Sequence, residues 1–200
     1  PHSIARRQRQ MCIRDRPPAI KSFDKEGYVT YCGSFSKSIA PALRVGYLIA
    51  NWEVLSRILP YKTDAGSGSL EQMALAEFCK ENFNSHVKTL KIKLQKKSEA
   101  ICNALDKYFG SSAEYKKPDG GIFVWVDMHK KVDTSRLYEL ALKDGVAINP
   151  GNEWSINKSG RHKMRLCFGN PSIKEIDEGI KRLAIICRKE FGIPTKIANL

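Results

Sequence analysis

Between about Ser85 and Phe109, apolar residues recur at Val87, Leu90, Leu94, Ala100, Ile101, Ala104 and Leu105, close to the helical period, with lysines on the other faces. A helix of that length extends about 37 Å at 1.5 Å per residue. It is long enough to bridge two domains, so the chain is expected to divide into two portions within it. Gly110 stands where a left-handed residue would end it.

The segments on either side alternate between strand-like and helix-like patterns, which places the chain in the mixed α/β class. Upstream, Tyr28 to Cys32 is β-branched and aromatic enough for a short strand, and Val45 to Ala50 is a second apolar run of strand length. Asn51 is a good N-cap for a helix from Trp52 to about Leu59, near Pro60. A Gly/Ser-rich connection, residues 63–69, precedes a helix from about Leu70 to Asn82. Downstream, the pattern predicts an edge strand from Ala113 to Lys116, a turn at 118–121 and a buried strand from Ile122 to Met128. An amphipathic helix from Ser135 to Asp144 closes at Gly145, and a short strand from Val146 to Ile148 enters Asn149-Pro150-Gly151. Met164 to Phe168 reads as a strand, and Ile173 to Phe191 as a final helix stopped by Gly192 and Pro194.

The connection between the first two strands concentrates the chemistry. It runs Gly33-Ser34-Phe35-Ser36-Lys37-Ser38-Ile39-Ala40-Pro41-Ala42-Leu43-Arg44-Val45-Gly46-Tyr47. A single loop lysine is most often a solvated cation. Here Ser34 and Ser36 offer hydroxyl donors, Gly33 permits close backbone approach, and Arg44 offers a planar two-pronged guanidinium. An amine nucleophile beside a phosphate cradle suits pyridoxal phosphate, whose aldehyde takes a lysine and whose phosphate takes a separate dianion site.

Ser-Phe-Ser-Lys followed by Pro and then Arg-Val-Gly-Tyr resembles the lysine motif of fold-type I, class I/II aminotransferases. The branch is that of the 2-aminoadipate and kynurenine-type transaminases and the MocR regulators, and the resemblance runs from about Pro17 to about Gly192. It implies that Lys37 is the lysine joined to the cofactor, with Ser34, Ser36 and Arg44 facing its phosphate. Arg165-Leu166-Cys167-Phe168 resembles the family's Arg-Leu-x-Phe strand, whose arginine grips the substrate's α-carboxylate. The competing reading of Arg165 is an ion pair with an Asp or Glu of its own domain, because a half-buried arginine needs an anionic partner. Arg161, His162 and Lys163 are expected to face solvent.

The resemblance further implies a C-terminal part of the large cofactor domain over residues 17–85, then an interdomain helix and an α+β small domain over residues 86–200. The family's carboxylate for the pyridine nitrogen, its stacking aromatic, and the Asn and Tyr around the ring oxygen have no matching positions here. The 200 residues by themselves are therefore expected to be inactive. The implied function is a pyridoxal-phosphate-dependent transaminase moving an amino group between an amino acid and a 2-oxo acid. Two alternatives stand beside it, the effector and dimerisation part of a MocR-type transcriptional regulator and a catalytically silent dimerisation domain. A homodimer is implied, with Ser67 and Ser69 near the neighbouring subunit.

Charge and cysteines narrow the setting. Of the formal net charge of +13, residues 1–16 supply five arginines against one aspartate. Their lack of apolar period, and the resemblance of Arg6 to Arg16 to a translated library adaptor, mark them as a non-native leader. The remaining excess is mostly lysine on solvated helix faces without interleaved aromatics, so a nucleic-acid partner is expected only through a separate DNA-binding domain. No apolar run reaches transmembrane length, and none resembles a secretory core, so no membrane is expected. The six cysteines show no CxxC pair and no metal-like spacing with the four histidines. They read as reduced and mostly buried, in a cytoplasmic protein. Cys32, at the end of the first strand, reads as a small core residue.

Overall fold

A computed structural model describes residues 18–64, 66–156 and 159–196. The leader at 1–16 and Cys12 lie outside them. Two compact units, Pro1–Lys91 and Ile92–Leu200, divide inside the long helix.

The first unit holds an antiparallel hairpin, β1 (Tyr31–Ser34) and β2 (Gly46–Ile49), followed by α1 (Trp52–Ile58) and α2 (Ser69–Glu81). The expected strand at 28–32 starts later, at Tyr31. The Asp24 carboxylate takes the amides of Gly27, Tyr28 and Val29 at 2.8, 3.1 and 3.0 Å, leaving them no part in a ladder. Asn51 caps α1 as expected, its side chain accepting from the Val54 amide at 2.9 Å. Buried apolar side chains here are few, with Val45, Leu75, Phe83 and Val87 foremost. Tyr28, Trp52, Tyr61, Leu70 and Met73 are all exposed.

Helix α3 (Phe83–Tyr108) runs from one unit into the other. Its buried stripe is Val87, Leu94, Ser98, Ile101 and Leu105, with Cys102, Ala104 and Tyr108 beside it. Ser98 occupies an apolar position of this stripe, and its hydroxyl has no hydrogen-bond partner.

The second unit is built on a four-stranded antiparallel sheet in the order β3 (Ala113–Tyr115), β4 (Phe123–Met128), β6 (Lys163–Cys167), β5 (Asn149–Pro150). Period-two alternation sends Val124, Val126, Met128, Met164 and Leu166 to a buried face. Phe123, Trp125, Asp127, Lys163, Arg165 and Cys167 share the other face. Helices α4 (Thr134–Lys143) and α5 (Ile173–Phe191) pack on one another. They contribute Leu137 and Ala141, and Ile176, Ile180, Leu183, Ala184 and Cys187, to the core. Each fully buried aliphatic chain contributes about 1.5–3 kcal/mol.

Local signals set the ends of these helices. Asp133 caps α4 by accepting from the Ser135 and Arg136 amides. Ser172 and Glu175 form a reciprocal capping box on α5, and Gly192 ends it in the left-handed conformation at φ 62°. The strand expected at 146–148 is absent, because the Val146 amide donates to the Ala141 carbonyl and closes α4. Pairing begins only at Asn149, opposite Arg165.

Among the described residues, Cys32, Cys102, Cys167 and Cys187 carry free thiols. Cys102 and Cys187 are buried as expected, but Cys32 and Cys167 are exposed. Both lie on strands of which one face is uncovered, so neither has a core to join. Among the described residues, no helix is long and apolar enough to cross a membrane, and no cluster of His, Cys, Asp or Glu could hold a metal ion.

Candidate functional site

In the first unit, the ends of β1 and β2 are clamped by the Ser34–Gly46 register pair and by the Phe35 amide donating to the Val45 carbonyl at 3.1 Å. Everything from Ser36 to Arg44 is therefore carried on one closed loop. Ser34 Oγ accepts from the Ser36 amide at 3.1 Å and donates to Ser36 Oγ at 3.0 Å, so the two serines form a compact pair of hydroxyls. Lys37 follows, itself exposed, in a turn fastened by the Ile39 amide donating to the Phe35 carbonyl at 2.9 Å.

Arg44 is the only non-glycine residue with positive φ among those described, at 50°. A left-handed arginine costs roughly 1 kcal/mol, and such strain tends to mark functional positions. Its Nη1 donates to the Pro41 carbonyl at 3.1 Å, and the side chain is otherwise exposed. Beneath the loop, Phe35 and Tyr47 rings lie 5.5 Å apart, with Tyr31 beyond. Burial, then the neighbouring Tyr31, pushes the Tyr47 phenol up, so it stays protonated. The Ser38 carbonyl is 2.9 Å from His86 Nε2, and because a carbonyl only accepts, the ring carries its proton on Nε2.

In the second unit, Arg165 lies in β6 between buried Met164 and Leu166, on the opposite face of the sheet. Its guanidinium carbon is 4.1 Å from the centre of the Phe123 ring and 4.0 Å from that of Trp154. Nη2 reaches Asn149 Oδ1 at 3.4 Å, and Nε is enclosed without a hydrogen-bond partner. The ion pair considered for Arg165 is not formed with any described residue. Asp127, the acid of β4 on its face, is instead taken by Lys163 at 2.6 Å and His162 at 3.2 Å. These two residues were expected in solvent; both are half-buried, while exposed Arg161 pairs with Asp133 at 3.1 Å.

The structure thus gathers Ser34, Ser36, Lys37 and Arg44 on one loop of the first unit and sets Arg165 on a sheet face of the second. Sequence reasoning missed Phe123, Asn149 and Trp154 around Arg165. Phe123 and Asn149 follow from register, since β4 and β5 flank β6. For Trp154 the only signal was a large aromatic in an otherwise polar loop after Asn149-Pro150-Gly151.

Known proteins are similar to this chain along most of its length. The "Uncharacterized aminotransferase SSO0104" of Saccharolobus solfataricus is 36% identical, over 89% of this chain and 45% of its own. The "Uncharacterized HTH-type transcriptional regulator YisV" of Bacillus subtilis is 34% identical, over 88% of this chain and 37% of its own. Among solved structures, LysN, the α-aminoadipate aminotransferase of Thermus thermophilus complexed with N-(5'-phosphopyridoxyl)-L-leucine, superposes with a TM-score of 0.85 at 30% identity. That match covers 90% of this chain and 48% of LysN. The chain spans less than half the length of these relatives. The family model for aminotransferase class I and II matches residues 10–183, and the chain belongs to that family.

Proposed function

We propose that the protein is a pyridoxal-phosphate-dependent transaminase that moves an amino group between an amino acid and a 2-oxo acid. The observation that carries this reading is the closed loop holding a lysine, two paired serine hydroxyls and a strained, exposed arginine. Those donors fit a phosphate dianion, and the lysine supplies an amine on the same loop. LysN, similar over this chain, is complexed with a phosphopyridoxyl amino acid, which supports the same cofactor here.

Lys37 Nζ would hold the cofactor covalently, and Ser34, Ser36 and Arg44 would hold its phosphate. When bound, pyridoxal phosphate supplies an electron sink for the bond breaking at the substrate's Cα. Lys37 Nζ would also move the proton at Cα, a general acid–base role that requires hydrogen-bond reach. Arg165 orients the substrate through its α-carboxylate, a positioning effect. The first unit serves as the cofactor-binding portion and the second as the small C-terminal domain. A homodimer is supported by the exposed Leu70 and Met73 of α2, next to Ser67 and Ser69. Free thiols at Cys32, Cys102, Cys167 and Cys187 support a reducing, cytoplasmic setting.

The test is amino-group transfer from a panel of amino acids to 2-oxoglutarate by the full-length protein. Activity lost in Lys37→Ala, and requiring more cofactor in Arg44→Ala, is the expected result; transfer unchanged in Lys37→Ala refutes the reading. The likeness to YisV favours a second reading, a cofactor- or amino-acid-sensing part of a transcriptional regulator. That reading predicts specific operator binding by the protein, altered by pyridoxal phosphate, with no transfer.

A further inference from the structure

We propose that Phe123 and Trp154 form a two-ring aromatic clamp that takes the place of an acidic counter-ion for Arg165, keeping its N–H donors available for a ligand carboxylate. The inference rests on the reading of Arg165 as the carboxylate-binding residue and adds the positioning residues that make it one.

A half-buried cation needs compensation, and the usual source is an Asp or Glu. Such an acid would engage the same in-plane N–H groups that an incoming carboxylate uses. On this face the acid within reach along β4 is Asp127, and Lys163 and His162 hold it. Arg165 is compensated instead by two rings, centred 4.1 and 4.0 Å from the guanidinium carbon. Ring quadrupoles attract the cation without consuming a donor. The donors remain under-used: Nε has no partner, and the contact of Nη2 to Asn149 is long at 3.4 Å. An edge-on carboxylate would supply the charge-assisted hydrogen bonds that the chain itself withholds.

The clamp is built into the fold. Phe123 and Arg165 occupy neighbouring strands on the same face, one diagonal apart. Trp154, 54% exposed, is held over the guanidinium by the turn at Gly151–Trp154 that leaves β5 beside Arg165. One plate therefore belongs to the sheet and the other to the turn that covers it.

The test is calorimetric titration of the protein with 2-oxoglutarate and with pyruvate, using the tighter of the two, and with its ester as the carboxylate-free control. Trp154→Leu and Phe123→Leu keep apolar bulk and remove the ring. Each is expected to weaken binding roughly three- to thirty-fold, the range for a partly desolvated cation–π contact. Trp154→Phe and Phe123→Tyr restore the ring and are expected to restore affinity, which a merely space-filling role would not require. Arg165→Lys is expected to abolish the preference for acid over ester. If Arg165→Lys weakens binding but both leucine variants bind like the unaltered protein, the clamp is overturned and the reading of Arg165 survives. Loss in the leucine variants that the aromatic variants fail to rescue also overturns the clamp. If Arg165→Lys binds normally, or neither acid binds, the reading of Arg165 fails and the clamp with it.

Discussion

Gly151→Ala should destabilise the second unit and loosen Trp154, because there is no room for a methyl group at that position. A Cβ on Gly151 would lie 2.5 Å from the Gly160 carbonyl oxygen and 2.6 Å from that of Lys163. Ordinary contacts begin at 3.4 Å, so the neighbours would have to yield by almost 1 Å. They are poorly placed to do so. The Gly160 carbonyl accepts from the Lys163 amide at 2.9 Å, and Lys163 is in register with Asp127 in the middle of the sheet. Overpacking against fixed backbone costs roughly 1–3 kcal/mol, a fall in Tm on the order of 10 °C for a unit of this size. Gly179→Ala provides a control of opposite sign. It lies within α5, its Cβ would meet only Val146 Cγ1 at 4.0 Å, and it should stabilise by up to about 1 kcal/mol through helix propensity. Thermal unfolding of both variants, with titration of the carboxylate site, is the assay. A Gly151→Ala protein that melts and binds like its parent would show that the turn carrying Trp154 is not held by this approach, and would refute the reasoning.

Ser98→Ala, at a buried position whose hydroxyl lacks a partner, should leave stability unchanged or raise it by about 1 kcal/mol in denaturant unfolding; a clear loss would reveal a hydrogen bond to that hydroxyl. Brief alkylation of the native protein should label Cys32 and Cys167, which are exposed, and spare Cys187, whose thiol is pushed up to about 12 by burial. Peptide mass mapping that found Cys187 labelled first would contradict this. The Lys21 ammonium, with the amides of Val29, Gly27 and Tyr28, holds the Asp24 carboxyl at about 2 rather than 3.8. Its contribution to stability is therefore complete above pH 3.8 and lost as pH falls through about 2, and carboxyl NMR should show that low midpoint.

Much of the architecture was readable where one periodicity and one terminal signal agreed. The final helix is the clearest case: apolar residues at the helical period, Ser172 and Glu175 three apart, and Gly192 after the last turn fix both ends. Failures came where a side chain or helix end took the backbone groups a strand needed. Asp24 removed Tyr28 and Val29 from β1, and the closure of α4 removed Val146 from the following strand. Neither competition is visible in propensity. The lysine loop was legible because its chemistry is contiguous in sequence. The surroundings of Arg165 were not, since Phe123, Asn149 and Trp154 reach it only through strand register and a turn. Nor does sequence say that Asp127 is already engaged by Lys163, which leaves the arginine without an acid.

The central claim is that Lys37 is the residue joined to pyridoxal phosphate. Incubating the full-length protein with the cofactor, reducing with borohydride and mapping peptides by mass spectrometry addresses it directly. The predicted result is a single phosphopyridoxyl group on Lys37 Nζ, lost in Lys37→Ala and diminished in Arg44→Ala. Reduction that fixes the cofactor on another lysine while Lys37 stays unmodified would contradict it.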